Sequence, residues 1–452
     1  MRPRSDQFHE LSSEALEDSF LREALKRASS SFHAAKTDAV DSMPDWEELR
    51  QRGHDRKNLA IENLPEALEV FEKNLRSRGG EVHYCEDGAA ARDQVLSIIR
   101  SSGGRSVTKS KSMVTEEIAL NDHLEAAGLS VLEGDLGEYI IQLAGEHPSH
   151  IIAPAIHKSR EEVAELFHDH LGSDPDADIP ELTRVARETL REAFLGADIG
   201  ISGANFVIAE TGTIVLVENE GNIRMSTTVP RVHIAVVGIE KVLPRRSDLA
   251  ALLRLLCRSA TGQRVTSYIS FISSPRTGGE GDGPEKLHVV FLDAGRSRLW
   301  ADPTQREALN CIRCGACLNF CPVYGSVGGH SYGWVYPGPI GSVITPHYVG
   351  IEKASQLPQA SSLCGRCGEV CPMKIPLPDM LLGLRAKAVE AGSAGFVEKL
   401  SMRVFSLLAR SPRLWRLLLA FGRPFYRLVV RAGLGAVLGG PARRWSRSRS
   451  LP

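Results

Sequence analysis

The 452-residue chain has no excess of either charge: 54 lysines and arginines stand against 55 aspartates and glutamates, a formal net charge of -1. Such balance argues against nucleic acid as the main partner, because phosphate binding normally shows as a basic domain. No run approaches the roughly 18 apolar residues of a membrane span. The start, MRPRSDQFHELSSEAL, lacks the apolar stretch of a secretory leader. No Walker A sequence is present. In SSPRTGGEGDGPEK (273–286) serine and proline precede the glycines and another proline follows them. A dinucleotide fingerprint needs a strand before it and a helix directly after, so this stretch reads as a surface loop. Neither nucleotide nor flavin is expected.

Cysteine is scarce as well, with 9 in the chain. Cys85 and Cys257 stand alone and are expected to pack as small buried hydrophobes. The other seven all lie between Cys311 and Cys371. A disulfide framework would spread its cysteines over a small secreted chain. Clustering at C-x-x-C spacing, in a chain expected in reducing cytosol, points to metal.

Cys311, Cys314, Cys317 and Cys321-Pro322 spell C-x2-C-x2-C-x3-C-P, the bacterial ferredoxin run. Three thiolates at this spacing wrap one cubane, and the fourth cysteine ligates the other cluster. Proline then stops the loop from continuing as helix. Fifty residues later SSLCGRCGEVCP supplies Cys364, Cys367 and Cys371-Pro372, with Ser361 at the first cysteine's place. Crossed ligation would give Cys311, Cys314, Cys317 and Cys371 to one [4Fe–4S] site. Cys321, Cys364 and Cys367 then hold the second, either a [4Fe–4S] cluster with an oxygen or nitrogen fourth ligand or a [3Fe–4S] cluster. Ser361, His330 and His347 are the protein candidates for that vacancy, with Ser361 favoured by position. Structural zinc also uses sites of four cysteines, but usually from two paired hooks. The intervening GSVGGHSYGWVYPGPIGSVITPHYVG is too long for a hairpin ferredoxin and predicts a helical arrangement with a glycine-rich inserted loop. Tyr332, Trp334 and Tyr336 would either shield the clusters from water or simply pack.

Upstream, residues 1–75 form a polar, helix-favouring N-terminal arm. Residues 76–300 alternate β-rich runs with helical stretches, which predicts an α/β domain with a mostly parallel sheet. EVHYC, SHIIAPAIH, NFVIAETGTIVLVE and RVHIAVVGIEKVL are the strand-like runs, the third of which could equally be a hairpin. Residues 301–395 carry the cysteine motifs. In 396–452 a basic amphipathic tail presents Arg413, Arg416, Arg423, Arg427 and Arg431 among apolar residues, suiting a membrane surface or a partner subunit. Pro412 and Pro424 are expected to break it into short pieces, which favours docking.

The complete run with GGHSYGWVYPGPIG, the short second motif and the upstream GISGANFVIAETGTIVLVENEGN together resemble the lactate utilization protein B family, over roughly residues 60 to 395. The resemblance implies a LUD α/β domain, related in fold to CoA transferases and sugar-phosphate isomerases, beside a helical ferredoxin-like two-cluster domain. It implies a cytoplasmic iron–sulfur protein that oxidises L-lactate to pyruvate together with two other lactate-utilization proteins. It also places the seven clustered cysteines as ligands and makes the missing eighth the family's own pattern. Within the α/β domain, Lys109 and Lys111 of TKSKS are candidates to meet a carboxylate or phosphate. Glu210, Glu218 and Glu220 lie in a segment broadly similar to one where CoA transferases keep a glutamate nucleophile, with Glu218 and Glu220 the catalytic candidates.

Three functions follow. The first is an electron-transfer component passing electrons toward an acceptor. The second is a self-sufficient enzyme transforming a 2-hydroxy acid in the α/β domain. The third is a redox-sensing regulator with a labile cluster, against which stands the lack of a DNA-binding face.

Overall fold

The β-rich runs of the sequence become, among the described residues of a computed structural model (3–393 and 395–431), ten strands in two sheets. In chain order these are β1 (Glu81–Cys85), β2 (Ser106–Lys109), β3 (Ser130–Glu133), β4 (Ile199–Ser202), β5 (Phe206–Ile208), β6 (Thr213–Glu218), β7 (Val232–Gly238), β8 (Val242–Leu243), β9 (Tyr268–Ile272) and β10 (Lys286–Leu292). The larger sheet runs β1-β10-β7-β4-β2-β3 with every pair parallel. Its central β7 is buried at every residue, which is why it reads as an unbroken apolar run. The smaller sheet runs β8-β5-β6-β9. There β5 and β6 pair antiparallel, so the ETGT stretch is the hairpin alternative. Gly212 makes its turn at φ +57°, and a Cβ there would lie 2.5 Å from the Leu75 amide.

In a parallel sheet of this kind, ligands collect outside the carboxyl ends of the strands. The residues just past β2, β3, β4 and β7 are Lys111, Asp135, Gly203 and Lys241, and all four line one cavity.

SHIIAPAIH is not a strand. Residues 149–157 form bends and turns. Pro154 removes a donor there, the Ser149 amide bonds the Pro154 carbonyl, and the His150 ring accepts from the amides of Ile152 and Ala153. Local side-chain capping outcompetes the β-branched preference. The glycine-rich loop SSPRTGGEGDGPEK does lie between β9 and β10, exposed at its tip.

The cysteine region is helical, with Ala316–Asn319, Tyr324–Val327, Gly338–Val349, Arg366–Glu369 and Leu377–Glu390. Its inserted segment is less a loop than a core element. Most of Gly338–Val349 is buried, and a Cβ on Gly329 would meet the Ser149 carbonyl at 1.7 Å. Glycine is used here for close approach rather than mobility. The N-terminal helices Ser19–Asp41 and Trp46–Glu62 pack into the same unit, which extends to Ala391.

Residues from Gly392 form a second unit, described by the helices Phe396–Ala409 and Pro412–Arg431. The expected break at Pro424 does not occur. Pro412 opens the second helix, where its missing donor is harmless, and the helix continues through position 424 at the loss of one backbone bond. The side chains of Arg423, Arg427 and Arg431 lie outside the described residues. Among the described residues no helix is long and apolar enough to cross a membrane.

Candidate metal centres and an adjoining cavity

The two cysteine motifs fold as copies of one loop. Arg313 and Leu363 precede Cys314 and Cys364 in the left-handed region at φ 58° and 54°, and Gly315 and Gly365 follow at 72° and 83°. Short helices Ala316–Asn319 and Arg366–Glu369 come next. Even the first position matches. Cys311 Sγ accepts the Arg313 amide at 3.4 Å, and Ser361 Oγ accepts the Leu363 amide at 3.1 Å. The serine hydroxyl therefore occupies the local place of a cysteine sulfur.

The thiols gather into two groups that cross the sequence order. Cys311, Cys314, Cys317 and Cys371 line one small cavity walled by Ile151, Ile312, Ile340 and Ile375. Burial pushes the Cys314 thiol up to about 12 and raises Cys317 and Cys371, with neighbouring cysteines of the same four adding to each shift. Three thiols that resist ionisation, gathered with Cys311 in an apolar nest, make a costly arrangement unless metal replaces their protons. Donor type, number and enclosure fit an iron–sulfur cube.

The second group is more open. Cys321 and Cys367 are buried while Cys364 is exposed. Burial raises Cys321 and takes Cys367 to about 11; Cys321 is the next cause at Cys367, and Cys364 adds a smaller rise to both. Cys364 itself is held below the ordinary thiol range by the Arg366 amide and then by the Ser362 hydroxyl. This trio fits a cluster with one position not supplied by cysteine.

Residues distant in sequence complete the surroundings. Lys36, 6 % exposed, donates to the Val370 carbonyl, and Cys314, Cys371 and Cys317 all act on its charge. Arg50 holds the Cys371 carbonyl at 2.7 Å and the Glu369 carbonyl at 3.0 Å. Tyr332, Trp334 and Tyr336 are all buried. The Tyr332 hydroxyl lacks a hydrogen-bond partner, and burial raises its pKa first, with Cys321, Cys317 and Cys367 among the charges acting on it. Tyr336 donates to Glu117 at 2.7 Å.

His330 and His347 are engaged elsewhere. His330 Nε2 bonds the His147 carbonyl at 2.6 Å. Burial lowers His347 to about 4, and the charges around it are Lys387, Asp302 and Arg298 rather than cysteines.

Against the first nest lies a cavity of about 380 Å³, sharing Ile151 and Arg313 with it. Its walls come from strand ends of the sheet, from the helix Leu249–Ala260 and from Arg313 and Tyr336. The α/β candidates separate here. Lys109 is fully buried away from the cavity in ion pairs with Glu133 at 2.6 Å and Glu116 at 2.8 Å. Burial opposes its charge, but those carboxylates outweigh it and raise the pKa.

Lys111 does line the cavity, bonded to the Ile152 carbonyl at 2.7 Å, and burial lowers its pKa. Glu218 and Glu220 line it too. Glu218 caps the helix Asn222–Thr228 through the Ile223 and Arg224 amides at 2.7 and 3.0 Å. Burial raises both carboxyls, and Asp135 adds to the rise at Glu220. Glu210 lies apart, exposed and accepting the Arg246 amide at 2.9 Å. Cys85 sits in the sheet core, and Cys257 is buried in the cavity wall.

Sequence reading missed Lys241 and the network around it. Arg296, fully buried, forks onto Glu117 at 2.7 and 2.9 Å and reaches Glu240 at 2.7 Å. Arg313 lies 3.7 Å from Glu240, with its guanidinium 4.7 Å from the Tyr336 ring centre. Burial works against a charge on Glu240, yet Arg296, Lys241 and Arg313 hold its carboxyl down at about 2. Only the density of charge in VGIEKVL, unusual for a run so apolar, hints at this.

Known proteins agree with these parts. A LUD domain matches residues 68–292 and a 4Fe-4S dicluster domain matches 307–375. The chain is 41% identical to a lactate utilization protein B from Bacillus licheniformis, and 42% to one from Bacillus thuringiensis. Each alignment covers 100% of this chain and 95% of the relative. A DUF162 family protein from Deinococcus radiodurans, solved by crystallography, is 17% identical. That alignment covers 51% of this chain and 98% of the other, with a TM-score of 0.28.

Proposed function

The chain belongs to the lactate utilization protein B family, and from that premise we propose that it is the iron–sulfur electron-transfer component of a cytoplasmic complex oxidising L-lactate to pyruvate. Its partners in this reading are two other lactate-utilization proteins and an electron acceptor. Cys311, Cys314, Cys317 and Cys371 hold a [4Fe–4S] cluster. Cys321, Cys364 and Cys367 hold the second cluster, [4Fe–4S] or [3Fe–4S], with Ser361 at the fourth place. Bound clusters of these types take up and release single electrons.

The observation that carries the reading is the pairing of one enclosed thiol group with one that opens at Cys364. Apolar walls exclude water from the first group, and Lys36 and Arg313 set positive charge beside it. The positive charges favour acceptance of an electron there, while the apolar walls oppose a more anionic cluster and shield it from water. Exposure of the second group gives a partner protein access for onward transfer.

Two measurements test this. Anaerobically reconstituted protein is expected to carry about eight irons, or about seven with one [3Fe–4S] cluster. Cluster-loaded chain given lactate and a dye acceptor is expected to turn over slowly or not at all until its partners are added. Robust turnover by the chain alone would replace the relay with a self-sufficient enzyme.

A further inference from the structure

Lys241 is the least explained charge in the molecule. It is 7 % exposed, follows β7 in the turn Ile239–Lys241, and lines the cavity beside the first cysteine nest. Its ammonium makes no hydrogen bond or ion pair with any described residue. Its sequence neighbour Glu240 is already held by Arg296 and approached by Arg313. The Nη1 of Arg313 is also buried without a partner. An unpaired buried ammonium is costly and is rarely kept without an occupant to meet it.

The local charges indicate what that occupant is. Arg296, Arg313, Lys241 and the buried Lys57 supply four cationic groups against the carboxylates of Glu117 and Glu240, so positive charge is in excess. Lys111 has its own counter-charge in Glu138 at 3.9 Å. An anion meets that excess of positive charge. The far wall is acidic, with Asp135, Glu218 and Glu220, and suits a hydroxyl rather than a second anionic end. A guanidinium and an ammonium together form a good carboxylate seat.

We propose that this cavity binds a small monocarboxylate of the 2-hydroxy or 2-oxo acid class, with its carboxylate between Lys241 and Arg313, directly against the first cluster's cysteine loop. The proposal goes beyond the relay reading by placing the organic acid on this chain. It leans on that reading only in using the first cluster as a spectroscopic reporter. Arg313 is shared between the cavity and the nest, and its amide is on Cys311. An acid seated there is therefore felt by the first group of cysteines and not by the second.

The test is anaerobic calorimetry on the full cluster-loaded chain, titrated with L-lactate, pyruvate, the neutral lactamide and inorganic phosphate. Electron paramagnetic resonance of the reduced protein is recorded with and without each. The expected result is saturable binding of L-lactate or pyruvate, none of lactamide, phosphate weaker than either acid, and a change confined to the first cluster's signal.

Lys241→Met is expected to weaken acid binding about tenfold or more, the usual loss of a charged hydrogen bond. Its melting temperature should stay level or rise, since an unpaired buried charge has been removed. Lys241→Arg is expected to keep most of the binding and serves if the methionine variant folds poorly. No saturable heat with intact clusters, equal affinity in Lys241→Met, or phosphate binding tighter than pyruvate would each overturn the proposal. Iron content, measured on the same samples, separates that failure from failure of the cluster assignment itself.

Discussion

One loop, written twice, ends in two different environments. Around Cys314 it meets Ile151, Ile340 and Ile375 from other parts of the fold, and Cys314 and Cys317 are buried with Cys311 partly so. Around Cys364 the same backbone lies at the surface, with its cysteine exposed and one thiol replaced by Ser361. The loop conformation is local, set by residues at positive φ beside each middle cysteine. Enclosure is supplied by tertiary structure, namely the strand ends, the turn at 149–157 and the N-terminal helices. A shared motif thus fixes which residues can bind iron, while packing decides how protected and how charged each site is.

The largest expected difference is in survival. Brief exposure of the reconstituted protein to air with a chelator should remove the second cluster and leave the first, taking about eight irons to about four. Simultaneous loss, followed by iron count and resonance signals, would erase the contrast between sealed and open sites. Ser361→Cys sharpens the comparison from the other side. If the hydroxyl stands where a sulfur would, a thiolate there should lower the second cluster's potential by on the order of 100 mV and slow its loss in air. An unchanged potential and spectrum would mean that Ser361 merely caps Leu363.

A smaller effect is expected at Lys36, whose charge faces the first group alone. Lys36→Met should lower the first cluster's midpoint by about 60 mV, which for a one-electron couple corresponds to about 1.4 kcal/mol. The second midpoint should stay fixed in the same titration.

The smallest effect concerns the scaffold on the enclosed side. His233, buried in β7 and 2.7 Å from the Ser202 hydroxyl, is held down at about 3 by burial and then by His288. It stays neutral in the fold and gains a proton on unfolding below its ordinary value near 6.5. Its contribution is therefore full above about pH 6.5 and falls toward pH 3, at up to about 1.4 kcal/mol per pH unit. Denaturation of wild type and His233→Asn between pH 7 and 5 should show the steeper decline in wild type.

Much of this was legible in the chain. The cysteine spacing singled out the seven thiols that the fold draws into two groups, because residues of one loop recur at fixed offsets. The strands β1, β7 and the β5–β6 hairpin showed through their β-branched runs, and the helical character of the cysteine region showed through its long insertion. What failed were features owned by distant contacts. SHIIAPAIH has strand composition, but His150 and Pro154 turn it into a wall of the first nest. Lys109 looked available for a ligand and is locked between Glu116 and Glu133. Lys36, Arg50 and Lys241 carry no motif at all. Their importance arises from where helices and strand ends bring them, which no local pattern encodes.

The most direct test of the two-site account is a pair of variants, Cys371→Ser and Cys364→Ser, reconstituted anaerobically and compared by Mössbauer and paramagnetic resonance spectroscopy. The expected result is that Cys371→Ser perturbs the same cluster as Cys311→Ser, although the two lie sixty residues apart, while Cys364→Ser perturbs the one shared with Cys321. Should Cys371 instead group with Cys364, crossed ligation and the assignment of an enclosed and an open cluster would both be contradicted.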